Sequence, residues 1–278
     1  MSRKLTSLYG LKWNPFLPEV PIEALYVTPR CESFAWRVEQ QCPQGGFVSI
    51  HGEPGAGKSV VLRIVSARLQ RQRDLCVGVL SRPQAGLADF YRELGDVYHV
   101  KLNPHNRWSG TLALRQSWLA QMEQANFRPV LLIDEAQEAR PEVLSELRLL
   151  TSAQLDSQSL LTVVLCGDQR LKDKLRLPEL VPLDSRIRVR LLLDAASRED
   201  LAACLQHVLT QAGCPSLMTP ELCITVCEHA AGNYRALMNL CHELLMAAAQ
   251  RDAPRLDEKL FLELYTPHQR PATKGARR

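Results

Sequence analysis

The sequence predicts an α/β fold: a parallel five-stranded sheet with helices on both faces, followed by a smaller all-helical domain. Two patterns predict it. Between about residues 46 and 194, apolar runs of strand length alternate with amphipathic segments of helical period, the signature of parallel β-α units. From about 195 to 265 the period is helical only, which marks a second domain.

The elements follow in order. "CPQGGFVSIHGEPGAGKS" reads as a turn, a strand at 47–51, a glycine-rich loop and a helix over 58–72. "LCVGVL" (75–80) is a second strand, and "AGLADFYRELGDVY" and "GTLALRQSWLAQMEQANF" are amphipathic helices. "PVLLIDE" is a third strand, apolar throughout as expected when both sheet faces are covered. "PEVLSELRLLTSAQ" is a helix with proline in its first turn. "LLTVVLCGD" and "IRVRLLL" are strands four and five. Residues 266–278, rich in proline and basic residues, are expected to be disordered.

Composition narrows the function classes. The chain of 278 residues is 46% hydrophobic and 23% charged, the profile of a soluble globular protein. Charges interrupt every apolar run well short of a membrane span, and the N-terminus lacks an apolar signal core. No membrane partner is expected, and a cytoplasmic location is. The nine cysteines include no C-x-x-C pair and read as core or surface thiols in a reducing compartment. The net charge of +4 resides in the tail, with Arg270, Lys274, Arg277 and Arg278 and no acid. Residues 58–128 hold eleven basic and five acidic residues, a surface suited to phosphates.

"GEPGAGKS" (Gly52, Glu53, Pro54, Gly55, Ala56, Gly57, Lys58, Ser59) fits the phosphate-loop pattern G-x-x-x-x-G-K-[ST] in full, between a strand and a helix. Glycines let successive backbone N–H groups turn toward phosphate oxygens, and the helix N-terminus, including Val60, adds positive potential. Lys58 reaches the terminal phosphates of ATP and Ser59 ligates Mg²⁺. In "LLIDEAQE", three apolar residues run into paired carboxylates. Asp134 is the metal-side carboxylate. Glu135 is the candidate base, placed to polarise the attacking water. In "DSRIRVRLL", Arg186, Arg188 and Arg190 alternate with apolar residues, so strand period places all three on one face. Arg186 or Arg188 is the candidate to reach a neighbouring subunit's γ-phosphate. Arg235 starts a helix of the small domain, where it could close on the nucleotide.

With these motifs the chain resembles the AAA+ ATPases of the ExeA and TnsC/MuB/IstB kind, over nearly all of residues 5–265. "LYGLKWNPF", "ALYVTP", "GEPGAGKS", "LLIDEAQE", "ELRLLTS", "SRIRVR" and "GNYRALMNL" carry the resemblance. It implies an AAA+ P-loop core (46–194), a helical lid (195–265) and an N-terminal segment (1–45) that packs near the nucleotide. Assembly into a ring or helical filament, with ATP between subunits, is implied as well. By resemblance Asp134 and Glu135 form Walker B, Arg186 or Arg188 is the finger, and Arg235 is sensor 2. Asp168 or Gln169 takes the sensor-1 position, and Phe16 and Val27 lie near the adenine.

Two branches of that resemblance compete. Secretion-type members, ExeA or GspA, add a transmembrane helix and a cell-wall-binding region. Transposon-encoded members are short ATPases that bind duplex DNA and hand the target to a DDE transposase. Length, the missing span and the basic excess favour the second. An ATP-gated adaptor that hardly hydrolyses is a third reading. Sequence-tolerant DNA contacts are expected from Arg82, Lys101 and Arg107, with Trp108 expected to pack.

Overall fold

The computed structural model describes residues 3–102, 106–125 and 127–265. In chain order its helices and strands are α1 (Arg3–Tyr9), α2 (Pro29–Gln41), β1 (Gly46–Gly52), α3 (Lys58–Gln70), β2 (Leu75–Leu80), α4 (Leu87–Val97), α5 (Arg107–Ala125), β3 (Arg128–Ile133), α6 (Pro141–Thr151), β4 (Ser152–Ala153), β5 (Gln158–Ser159), β6 (Thr162–Gly167), α7 (Gln169–Lys174), α8 (Val181–Asp184), β7 (Ile187–Leu193), α9 (Arg198–Gln211), α10 (Pro220–Ala230), α11 (Tyr234–Gln250) and α12 (Glu258–Tyr265). The described residues divide into two compact units, 25–196 and a second formed by 3–24 with 197–265.

In the first unit, five parallel strands stand in the order β2-β3-β6-β1-β7. The three inner strands are buried almost throughout, which is why they read as continuous apolar runs rather than alternating ones. One face packs Phe47, Leu131, Ile133, Val163 and Leu165 against α4, α5, α6 and α8. The other packs Val48, Ile50, Val130, Leu132 and Val164 against α2 and α3. Thr28 caps α2 by accepting the Cys31 N–H at 3.3 Å, with Pro29 pre-setting the first turn.

Three sequence expectations are corrected. The helix begun at Pro141 stops at Thr151, and residues 152–159 turn back as the antiparallel pair β4–β5. Gln154, Leu155 and Asp156 at its tip all have positive φ, a conformation that a continued helix cannot contain. Trp108 does not pack. It is 79% exposed, because α5 turns Leu114 and Trp118 to the core and Trp108 lies on another side of the helix. The three arginines do not share a strand face. Arg186 precedes β7, and a register shift falls between Phe47 and Val48 of β1. Ile187 therefore joins the cluster of Phe47, while Val189 joins the opposite cluster with Val48.

The second unit is helical. Ser197, Thr219 and Asn233 cap α9, α10 and α11 by accepting N–H groups of their first turns. Leu205, Leu222, Val226, Leu237, Leu244 and Phe261 are buried among these helices. The N-terminal segment is tied to them by polar contacts: Tyr9 donates to the Ala253 carbonyl at 2.9 Å, and Lys12 N–H to the Ala212 carbonyl at 2.9 Å. Asn14 Nδ2 meets His242 Nδ1 at 3.1 Å. The tail, 266–278, and its expected disorder lie outside the described residues.

Candidate nucleotide site

Strand order brings the site together. β3, β6 and β1 are neighbours and parallel, so their C-terminal ends open side by side. Those ends carry Asp134, Asp168 and the glycine-rich loop. Ligands of open parallel sheets bind at this edge.

The loop has the form its glycines permit. Gly55 and Gly57 have φ of 85° and 94°, and Gly57 caps α3 in the left-handed region. At Gly52 an added Cβ would stand 2.8 Å from the Leu193 carbonyl, so this close approach of β1 to β7 admits no side chain. Lys58, 6% exposed, folds back and donates to the Glu53 carbonyl at 3.1 Å. Ser59 is exposed and Val60 half-buried in the first turn of α3. A cradle of backbone N–H groups at a helix N-terminus fits an anionic phosphate. Ser59 and Asp134 offer hard oxygen donors, the set that Mg²⁺ takes beside a phosphate.

Glu135 is exposed, with φ 50° and ψ 40°. This left-handed residue breaks from β3 into the 3-10 turn Ala136–Glu138, and its N–H is donated to Asp134 Oδ1 at 2.9 Å. The neighbouring Cys166 thiol is buried and hydrogen-bonded to Asp134. Burial and the Asp134 charge push it up, with Lys58 opposing. Asp168 caps α7, accepting the Arg170 N–H at 2.9 Å and pairing with its guanidinium. Burial pushes the Asp168 carboxyl up, but the Arg170 hydrogen bonds outweigh this and hold it below the usual range. Gln169 is exposed at the start of α7.

The residues proposed around this centre are placed as follows. Arg186 pairs with Asp156 and also donates to the Pro182 carbonyl. Arg188 donates to Gln44 at 3.4 Å, and Arg190 pairs with Asp184 at 2.9 Å. Val27 packs beside the α2–α3 cluster. Phe16 is buried in the helical unit, its N–H bonded to Asn14, and Arg235 is exposed in the first turn of α11. Arg82 and Lys101 are exposed. Arg107 is engaged by Glu146, a carboxylate only 2% exposed. Sequence reasoning missed Gln137, which stands inside the quoted "LLIDEAQE" but follows no periodicity. Its side chain meets both Glu135 and the backbone of Asp168.

The parallel sheet, the glycine-rich loop and the strand-end carboxylates define an AAA+ P-loop NTPase fold with a helical second unit. The family model described as an AAA domain matches residues 42–175. The chain is similar to the general secretion pathway protein A of Aeromonas hydrophila, 32% identical over 257 residues that make up 90% of this chain and 46% of that protein. The chain therefore spans about half the length of that relative. Among solved structures, the Aeropyrum pernix ORC2 protein in its ADPNP–ADP complexes superposes with a TM-score of 0.69 at 15% identity, covering 90% of this chain and 70% of that one. The Aeropyrum pernix ORC1 protein in complex with DNA gives a TM-score of 0.66 at 17% identity, covering 90% and 67%. Among the described residues no helix is long and apolar enough to cross a membrane.

Proposed function

We propose that the chain binds and hydrolyses ATP with Mg²⁺, as an oligomer whose sites lie between subunits, and that it acts on duplex DNA to regulate transposition. One observation carries the ATPase reading. Lys58, Ser59, Asp134 and Glu135 all stand at the same edge of three adjacent strands, β3, β6 and β1. Lys58 and the loop N–H groups would hold the phosphates, and Ser59 and Asp134 would hold Mg²⁺, which supplies charge neutralisation there. Glu135 would take the proton of the attacking water. Arg186 or Arg188 would reach across to a neighbour's γ-phosphate, and Arg235 would serve as the lid's sensor. Asp168 or Gln169 would contact the phosphate from β6, and Phe16 and Val27 would adjoin the adenine.

The DNA reading is supported by the excess of basic residues in 58–128, by exposed Arg82 and Lys101, and by the fold's likeness to a protein solved on DNA. Contacts of this kind read phosphates rather than bases, so binding should be sequence-tolerant. The partner that receives the target would be a DDE transposase. A second reading, a secretion-pathway ATPase, is favoured by the relative at 32% identity.

The test is DNA binding with ATP, ADP or no nucleotide across a salt titration, run beside ATP turnover with and without DNA. ATP-dependent binding that falls steeply with salt supports the DNA reading. Turnover with no DNA binding at low salt leaves the secretion-type reading, and ATP binding without turnover leaves an adaptor.

A further inference from the structure

The side chain of Gln137 is 4% exposed and has both ends engaged. Its amide nitrogen donates to Glu135 Oε2, and its amide oxygen accepts the Asp168 N–H at 3.2 Å. Chemistry sets this orientation: an ionised carboxylate only accepts and a backbone N–H only donates, so the amide cannot be turned round without losing both bonds. The surroundings are shaped to this bridge. A Cβ at Gly167 would stand 2.6 Å from the Gln137 amide oxygen, so the end of β6 leaves room for that oxygen only because residue 167 is glycine. Lys174 donates to the backbone carbonyls of Gln137 and, at 2.7 Å, Ala139. Arg170 pairs with Glu138 at 2.9 Å. The turn that carries Gln137 is thus clamped to α7, while Glu135 beside it is exposed.

We infer that Gln137 is the positioning residue for Glu135, tying its carboxylate to the β6–α7 junction at Asp168. The inference rests on the reading of Glu135 as the hydrolytic base. A carboxylate on an exposed left-handed residue samples several rotamers, and a fixed amide restricts it to one. Movement at the β6 end, on one side of the glycine-rich loop, is then passed to the base through one side chain.

Two variants separate positioning from packing. Gln137→Met keeps length and burial but loses both hydrogen bonds. Gln137→Glu keeps an acceptor for the Asp168 N–H but as a carboxylate cannot donate to Glu135. Both are expected to lower kcat by about tenfold to a hundredfold, the cost of a misplaced catalytic group, with KM and ATP affinity unchanged, while Tm falls with the unpaired Asp168 N–H in Gln137→Met and with the adjoining carboxylates in Gln137→Glu. A parallel measurement needs no turnover. In the nucleotide-free ¹⁵N-labelled protein, Glu135→Ala should shift the Asp168 amide resonance, and in the Gln137→Met background it should move that resonance no further. Wild-type kcat in Gln137→Met overturns the inference. So does a loss of kcat accompanied by an equal-fold loss of ATP affinity, or an Asp168 amide indifferent to Glu135→Ala. A wild-type protein that binds ATP without hydrolysing it overturns the ATPase reading instead, and the resonance measurement then decides the tie alone.

Discussion

The buried carboxylate of Glu146 on α6 is held by the guanidinium of Arg107 on the first turn of α5. Tyr91 of α4 donates to the same carboxylate, so three helices converge on one charge. Burial, followed by the bond to Glu146, pushes the Tyr91 phenol up. Arg107→Ala is therefore expected to cost about 1–3 kcal/mol, because a buried acceptor loses its charged donor. Arg107→Met with Glu146→Leu should cost less than the sum of the two single changes. Chemical denaturation of the four proteins measures this. Additive costs would show that the pair is not coupled. A DNA-binding defect in Arg107→Ala must accordingly be read beside its stability.

Glu135→Gln should keep ATP binding and lose turnover, while Lys58→Ala should weaken binding itself. On the proposed reading the loop and the metal ligands would hold the nucleotide, whereas Glu135 would serve only the water. Calorimetric affinity and phosphate release on both variants decide the roles, and wild-type hydrolysis by Glu135→Gln removes the one assigned to it.

Arg186 is occupied within its own chain by Asp156, and the aspartate responds: the Arg186 hydrogen bond holds its carboxyl below the usual range. Acting on a neighbour's phosphate would require this exposed pair to open, an inexpensive step for a surface ion pair. Arg186→Ala is expected to bind ATP without hydrolysing it. Mixing it with Lys58→Ala protein should restore part of the activity, since one mixed interface keeps both parts. No recovery at any ratio would point to a finger in the same chain, or to Arg188.

His51, near the end of β1, is 6% exposed. Burial first, then the charges of Arg190 and Lys172, lower its pKa from 6.5, with Asp184 opposing. Its folded value lies below its unfolded one, so the stability it confers is complete above 6.5 and is lost as pH falls toward the folded value. Unfolding free energy should decline in that window by at most about 1.4 kcal/mol per pH unit for this one proton. His51→Gln should flatten the slope. An unchanged slope would assign the dependence to other groups.

Gly167→Ala should destabilise the core by about 1–3 kcal/mol, the usual cost of overpacking. The added Cβ meets Leu171 at 2.8 Å as well as Gln137 at 2.6 Å, and α7 must shift to admit it. A thermal melt reads the effect. A Tm equal to wild type would mean that the β6–α7 junction is looser than the packing of Leu171 implies.

Local rules made much of this protein legible from its residues. Strand-length apolar runs, the glycine spacing of "GEPGAGKS" and the acid pair after "LLI" depend on neighbours in sequence. They identified the five strands, the loop and the two carboxylates. The order β2-β3-β6-β1-β7 is different in kind, because it pairs segments far apart in the chain, and it alone sets Asp134 and Asp168 beside the loop. The same holds for Arg107, whose partner lies 39 residues away, and for the register shift of β7 against β1 between Phe47 and Val48. Gln137 shows the boundary most plainly. As a residue in a string it is an ordinary polar side chain, and its two bonds exist only because Gly167 leaves room and α7 clamps the turn from the other side. Periodicity and propensity are properties of a segment, whereas register, buried pairing and close approach belong to surfaces that meet only after the chain has folded.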